Sequence, residues 1–290
     1  MSTHEVAGTS TFVHASVVPG VLGSTVGYAS TAPAERLHRG VPSPWMTFIL
    51  SLDGPVVWSE DEDALGTARE RRDTVLVSPL HTRAAFIRMP QRQVGLQMAV
   101  HPLHARRLFG ASPAELAGSG ATGLEVLGER AEELRQRLVE TPTWPQRFAV
   151  LETYVRDRLD RAPASAAVRP ELHEAWRWLR RSGGQRPLNS LAEHVALSPR
   201  HLTTLFQREL GLSPKRVARL VRFDAASRRL TDAVRRSQAL DLARVAADCG
   251  YYDQSHLDRE FREHLGTSPT GWLVEERRNV QAGGHRNGEG

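Results

Sequence analysis

The sequence predicts an α+β protein in which a small β barrel or sandwich with following helices precedes an all-α C-terminal part. Three observations support this prediction. Short apolar segments between Gly and Pro residues dominate the first hundred positions, and helical periodicity then replaces them. A two-helix motif occurs twice near the C-terminal end. The length of 290 residues is enough for two domains.

Five segments rich in Val, Ile, Phe and Trp predict β-strands, at residues 45–52, 55–58, 74–77, 84–89 and 94–100. The dipeptide Asp53-Gly54 lies between the first two segments, and this pair is typical of a tight hairpin turn. We therefore expect the first two strands to pair with each other. Several short strands at this spacing indicate a small sandwich or barrel.

Four helices are predicted after the strands, at residues 102–109, 112–116, 124–139 and 144–159. The last two carry a Leu/Val stripe that either packs in the core or forms a dimer interface: Leu134, Leu138, Leu151, Val155 and Leu159. The Ala/Pro/Ser-rich segment 161–170 is the expected linker between a domain at 1–160 and a domain at 171–278. The polar, Gly-rich segment 279–290 is expected to be a disordered tail.

Positive charge is concentrated in the C-terminal part. Residues 1–168 carry 17 basic and 18 acidic side chains, whereas residues 169–290 carry 21 basic and 15 acidic ones. The net charges are −1 and +6, so the second part is expected to contact a polyanion. No apolar run reaches the roughly 18–20 residues of a membrane span, and the N-terminus lacks a secretory pattern. We therefore expect a cytoplasmic protein without a membrane partner.

A duplicated segment is the most informative feature of the sequence. Seven residues recur at a constant offset of 55, because His201, Leu202, Phe206, Leu210, Gly211, Ser213 and Pro214 match His256, Leu257, Phe261, Leu265, Gly266, Ser268 and Pro269. Upstream, Ala192 matches Ala246 at an offset of 54, so the second copy has one extra residue in its turn. Two copies are too few for a solenoid. The repeat therefore indicates one structural unit that occurs twice.

Each copy predicts a helix-turn-helix. In the first copy, unit one, a helix at 188–195 precedes a second helix that Ser198 caps and Pro199 begins. In the second copy, unit two, a helix at 242–249 precedes a helix that Asp253 caps. A long helix from Ser213 to about Leu230 is expected to join the two units.

The second helix of each unit has one apolar and one polar face. The polar face of unit one comprises Arg200, Thr203, Thr204, Gln207 and Arg208, and the polar face of unit two comprises Gln254, Ser255, Asp258, Arg259 and Arg262. A helix-turn-helix presents such a face to the major groove, where base edges can be distinguished. Two joined units would reach successive grooves, about 34 Å apart. The alternative is a helical bundle with a merely solvated polar face; the duplication and the basic charge favour DNA binding.

Residues 171–277 resemble the DNA-binding domain of AraC/XylS-type transcription regulators. The resemblance covers both units, LAEHVALSPRHLTTLFQRELGLSP and VAADCGYYDQSHLDREFREHLGTSP. Tyr251 and Leu257 stand where Phe is more usual in the family, and both changes keep an apolar side chain. The resemblance implies a regulator that binds double-stranded DNA through the two polar faces, with RNA polymerase as a further partner. Asp258 is unusual near phosphates, so it is expected to accept from cytosine or to orient Arg259.

Members of this family commonly carry an N-terminal cupin-like β domain that senses a small molecule or forms a dimer. The strand-then-helix order of residues 1–160 is similar, so the resemblance implies an effector of unknown identity or a homodimer. A metal-dependent cupin would need clustered histidines and a carboxylate. His38 and His81 are isolated, and His101 and His104 straddle a helix start. We therefore expect no metal and no cofactor.

Two enzymatic alternatives fit the sequence less well. A DNA alkyl-damage repair methyltransferase uses this type of DNA-binding domain but needs an activated cysteine. Cys249, the only cysteine, lies at the apolar end of a helix in unit two, where a packing role is expected. A cupin enzyme would need the metal site that the sequence lacks. We therefore predict a regulator that is not an enzyme, with DNA binding carried by residues 166–280.

Overall fold

The computed structural model describes residues 9–119, 122–236, 238 and 240–281, and it confirms the α+β fold class. The β part contains these strands: β1 (Ser10–Ala15), β2 (Leu22–Thr31), β3 (Arg36–Gly40), β4 (Met46–Ser51), β5 (Val56–Ser59), β6 (Arg71–Asp73), β7 (Val75–Ser78), β8 (Ala85–Met89) and β9 (Arg92–Val100). They form two antiparallel sheets, one with the order β1-β2-β9-β4-β7 and one with the order β3-β8-β5-β6.

The five strands expected from the sequence are present, with ends displaced by one or two residues. The prediction of a hairpin at Asp53-Gly54 is wrong. Strand β4 pairs with β7 and β9, whereas β5 pairs with β6 and β8 in the other sheet. Both edges of β4 are therefore occupied, and the turn carries the chain from one sheet to the other. The sequence also misses β1, β2, β3 and β6, because polar residues or Gly interrupt their apolar alternation.

The helices begin after β9 and continue to the end of the described residues. They are α1 (Ala105–Phe109), α2 (Pro113–Ser119), α3 (Gly123–Leu127), α4 (Glu129–Glu140), α5 (Trp144–Asp160), α6 (Pro170–Arg181), α7 (Leu188–His194), α8 (Pro199–Leu210), α9 (Pro214–Arg235), α10 (Leu242–Asp248), α11 (Gln254–Leu265) and α12 (Pro269–Gln281). No helix in these described ranges is long and apolar enough to cross a bilayer.

Two departures from the expected helices are informative. The single helix expected at 124–139 is divided into α3 and α4, because Gly128 between them has a φ of +68°, a left-handed conformation that interrupts the helix. Helix α12 runs to Gln281 and so passes the expected start of the tail at residue 279. The rest of that segment, 282–290, lies outside the described residues.

Most of the apolar side chains form two clusters. The first cluster joins the β part, α1 to α8 and the first half of α9, so its contacts cross the segment 161–170 that the sequence identifies as a linker. The stripe of α4 and α5 belongs to this cluster and is at most 8% exposed, which makes it core. The second cluster comes from residues 223–273, with Ala84 of the β part against it. Unit one and unit two therefore rest on different cores.

Candidate nucleic-acid interface

Helix α8 of unit one begins and ends as its sequence dictates. The Ser198 hydroxyl accepts a hydrogen bond from the backbone N–H of His201 at 3.2 Å, and Pro199 occupies the first helical position. Gly211 ends the helix with a φ of +73°, and its N–H donates to the Gln207 carbonyl. These contacts confirm the expected cap and fix where the polar face of unit one starts.

Helix α11 of unit two has the same construction. The Asp253 carboxylate accepts from the backbone N–H of His256 at 2.7 Å, and Gly266 ends the helix with a φ of +73°. The long helix α9 starts in the same way, since Ser213 accepts from the N–H of Arg216. It is longer than expected and ends at Arg235.

The apolar faces of both second helices are buried as predicted. Phe206 of α8 and Phe261 of α11, which occupy equivalent positions in the repeat, are both 0% exposed. The small residues Ala192 and Ala246 of the first helices are 2% and 0% exposed, which allows the helices of each unit to pack closely. The opposite faces of α8 and α11 are consequently oriented towards the outside.

The structure places most of the polar-face residues at the surface. Exposed side chains are Arg200, Thr204, Gln207, Arg208, Gln254, Ser255, Arg259 and Arg262, while Thr203 and Asp258 are partly exposed. Each face is therefore brought together on one helix surface. Their contacts with bases stay a prediction.

Several arginines of the polar faces carry charge that no carboxylate neutralises. Arg200, Arg259 and Arg262 have no ion-pair partner among the described residues. Arg208 differs, because its Nε donates to Glu209 Oε1 at 2.9 Å. An exposed, unpaired guanidinium can donate two parallel hydrogen bonds to guanine or to a phosphate. Arg200 and Arg259 supply one such group to each unit.

Asp258 is the least accessible member of the polar face of unit two. Its Oδ1 is buried and lacks a hydrogen-bond partner among the described residues. The described part of the chain shows no ion pair between Asp258 and Arg259, so the expected orienting contact is not seen. This acceptor is therefore unsatisfied in the structure, and its contact with a cytosine amino group stays a prediction.

Tyr252 is a surface residue that the sequence analysis did not select. It lies in the turn of unit two directly before the cap of α11 and is 93% exposed. The extra residue in this turn was the available signal, since unit one has no aromatic side chain in its shorter turn. An exposed aromatic ring beside a helix with an exposed polar face can pack on a sugar or a thymine methyl group if that face binds DNA.

Charged contacts hold unit two on the connecting helix α9. Arg219 of α9 forms ion pairs with Glu260 at 2.8 Å and with Glu263 at 2.5 Å, and both carboxylates lie on α11. Arg229 of α9 bonds Asp248 of α10 at 2.6 Å. These contacts attach both helices of unit two to α9.

Other arginines of α9 contact the protein itself. The Arg228 guanidinium lies 2.7 Å from Asp224, and Arg222 lies over the Tyr251 ring with its guanidinium carbon 5.7 Å from the ring centre. Their partners are within the domain, which fits a structural role for both side chains. They provide internal controls for the arginines of the polar faces.

The histidines at the start of α1 do not form a metal site in the described residues. His101 caps the turn before α1, since its Nδ1 accepts from the N–H of Leu103 at 3.2 Å. The ring centres of His101 and His104 are 5.5 Å apart. Burial, followed by neighbouring cationic groups, lowers the pKa of His101 to about 3 and that of His104 to about 4. Both rings are therefore neutral at pH 7.

Cys249 occupies the packing position expected for it. Its side chain is 2% exposed within the second cluster, and burial raises the pKa of the thiol. A buried, protonated thiol is a poor nucleophile. Cys249 is therefore not the activated cysteine that alkyl transfer requires.

The cap of α11 gives a testable stability prediction. Asp253→Ala removes the acceptor for the His256 N–H, and we expect it to lower the free energy of unfolding by about 1 kcal/mol. Asp253→Asn keeps an acceptor oxygen and should recover most of this loss. Urea unfolding of the two variants measures the difference, and equal stabilities for Ala and Asn at this position would contradict the capping role.

Comparisons with known proteins agree with this geometry. A family model described as "Helix-turn-helix domain" matches residues 191–274. The chain is similar to the HTH-type transcriptional regulator Rv1931c of Mycobacterium tuberculosis, with 35% identity over 89 residues, 31% of this chain and 32% of that protein. The matched region thus spans about a third of the length of that curated relative.

Two solved structures are also similar. Unsaturated fatty acid-bound ToxT of Vibrio cholerae is 9% identical, with 94% of this chain and 97% of that chain covered and a TM-score of 0.48. The C-terminal domain of AraT, a response regulator of Geobacillus stearothermophilus, is 26% identical, with coverages of 38% and 86% and a TM-score of 0.33. The family match and the paired units with their caps are sufficient: residues 191–274 of this chain are a helix-turn-helix domain of the AraC/XylS type.

Proposed function

We propose that this chain is a transcription regulator that binds specific DNA sequences by placing α8 and α11 in successive major grooves. One observation carries the proposal: two equivalent helices, each capped in the same way, present an exposed polar face with an unpaired arginine. The excess positive charge of the C-terminal part supports contact with phosphates. The buried thiol of Cys249 supports a role other than alkyl transfer.

The N-terminal part is proposed to sense a small molecule. A cavity of about 100 Å³ lies between the two sheets and supports this role, since ligand sites are concave and mostly apolar. The stripe of α4 and α5 is buried within one chain, so it offers no support for a homodimer. Partnership with RNA polymerase stays a prediction.

The proposed DNA binding predicts a strong dependence on salt. The duplex is selected from a random library. A plot of the logarithm of the affinity of the full chain against the logarithm of the salt concentration should be linear, with a negative slope of about 0.9 per phosphate contact. Fluorescence anisotropy over a salt series measures this slope. An affinity that does not change with salt, or failure to enrich any sequence, would overturn the proposal.

Tyr252 is expected to add affinity without setting the sequence preference. Tyr252→Ala removes the exposed ring and should weaken binding about three- to tenfold, which corresponds to ~1 kcal/mol. Tyr252→Phe keeps the ring and should bind nearly as well as the parent. Anisotropy with the selected duplex tests both variants; unchanged binding by Tyr252→Ala would remove this residue from the interface.

A further inference from the structure

The C-terminal ends of α8 and α11 both dock on the N-terminal part of the chain, at equivalent positions of the internal repeat. Residues 209–211 of unit one match residues 264–266 of unit two. The polar faces lie on the outward side of the same helices. The N-terminal part therefore holds both units while their polar faces stay accessible.

Unit one docks on α1 and α2. Arg106 of α1 donates from Nε to Glu209 at 2.9 Å and also lies 2.9 Å from Glu115 of α2. Gly211 packs against α2, since a Cβ at this glycine would lie 3.2 Å from the Ala114 Cα. This contact joins helix to helix and includes no residue that lines the cavity.

Unit two docks on β3 and on the segment before β8. His264 Nδ1 donates to the Thr82 carbonyl at 2.5 Å, and the Ala84 N–H donates to the His264 carbonyl at 2.7 Å. Arg39 of β3 donates from Nη1 to the Leu265 carbonyl at 2.6 Å and from Nε to Glu275 at 3.2 Å. Arg39 thus contacts the end of α11 and also α12. We call these contacts the unit-two clamp.

Residues of the unit-two clamp lie next to residues that line the cavity along the chain. His38 and Gly40, on either side of Arg39, line the cavity, and so do His81 and Ala85, which flank the clamp residues 82–84. Successive strand residues point to opposite faces of a sheet. Displacement of the cavity wall at β3 consequently moves the backbone that carries Arg39.

The cavity wall is uncharged. None of its described lining residues is Asp, Glu, Lys or Arg. Burial lowers the pKa of His38 to about 4 and also lowers that of His81. His81 Nδ1 lies 3.2 Å from the Pro79 carbonyl and must donate to it, which leaves Nε2 as an acceptor. That Nε2 is buried and has no partner among the described residues.

We propose that the cavity binds a compact, uncharged ligand with a hydrogen-bond donor directed at His81, and that its occupancy is transmitted through the unit-two clamp to α11 and α12 and not to unit one. Burying an ion without a counter-charge is costly, which excludes carboxylates and amines from such a wall. The ligand moves unit two relative to unit one and so changes the spacing of the two polar faces. This regulatory step rests on the proposed function, DNA binding by both units.

Hydrogen–deuterium exchange of the full chain without DNA tests the proposal. The probes are benzyl alcohol and its charged counterparts benzoate and benzylammonium. Benzyl alcohol should saturably slow exchange at residues 36–41 and 79–85, change exchange at 260–275 by about twofold or more, and leave 199–211 unchanged. Each charged probe should require at least about tenfold higher concentrations.

Two arginine variants distinguish transmission through the unit-two clamp from ligand binding in the cavity. Arg39→Ala, or Arg39→Gln if the first variant does not fold, should keep the effect at 79–85 and reduce the effect at 260–275, since the contacts of Arg39 with Leu265 and Glu275 are lost while those of His264 with residues 82–84 remain. Arg106→Ala, the matched change at unit one, should keep both effects. Equal binding of charged probes, no saturable binding, or an effect at 260–275 that the loss of Arg39 does not reduce would overturn the inference. Because DNA is absent, none of these outcomes affects the proposed DNA binding.

Discussion

Arg200→Ala and Arg259→Ala are each expected to relax base preference at one position of the operator, and the two positions should lie about one helical turn apart. Each arginine is exposed, lies opposite a buried Leu/Phe face and has no ion-pair partner among the described residues. Arginine donates two hydrogen bonds to guanine, and the loss of such a pair costs ~1–3 kcal/mol. Affinity for the parental site should therefore fall by about 5- to 150-fold.

Binding-site selection on each variant provides the measurement. Arg222→Ala and Arg228→Ala are the matched controls, since both side chains have partners within the protein. A lost phosphate contact would weaken all sequences alike and lower the salt slope by about one. If both polar-face variants keep the parental sequence preference, α8 and α11 dock on the backbone and the base-contacting role is wrong.

The helical part could be predicted closely because its signals are local. Caps such as Ser198 and Asp253, and stops such as Gly211 and Gly266, act within one turn of the chain, and the structure confirms each of them. The repeat strengthened the helix assignments in both units, since the same helix boundaries had to fit both copies. The polar faces followed from helical periodicity once the boundaries were fixed.

The β part was harder to predict because strand pairing depends on distant residues. Asp53-Gly54 has the sequence of a hairpin turn, yet β4 is already paired on both sides and β5 joins the other sheet. The docking of unit two was equally inaccessible, because Arg39 and Leu265 meet across 226 positions of sequence. No local sequence pattern predicts a contact between residues so far apart in the chain.

Phe206→Ala and Phe261→Ala are expected to have different consequences, although the two residues are equivalent in the repeat. Both are fully buried, and each substitution should cost ~3–5 kcal/mol through lost burial and a cavity. Phe206 belongs to the first cluster, which joins unit one to the β part. Phe261 packs on Phe223 and Trp272 in the second cluster, with ring-centre distances of 4.9 Å and 5.7 Å.

The loss at Phe206 should therefore lower the stability of the whole chain, whereas the loss at Phe261 should first release unit two. Exchange with deuterium is expected to rise throughout the chain for Phe206→Ala and mainly at residues 242–276 for Phe261→Ala. A chain that keeps unit one but not unit two should protect only one half of the operator in a footprint. If both variants lose the same regions together, the two units fold as one cooperative body, and independent movement of unit two is excluded.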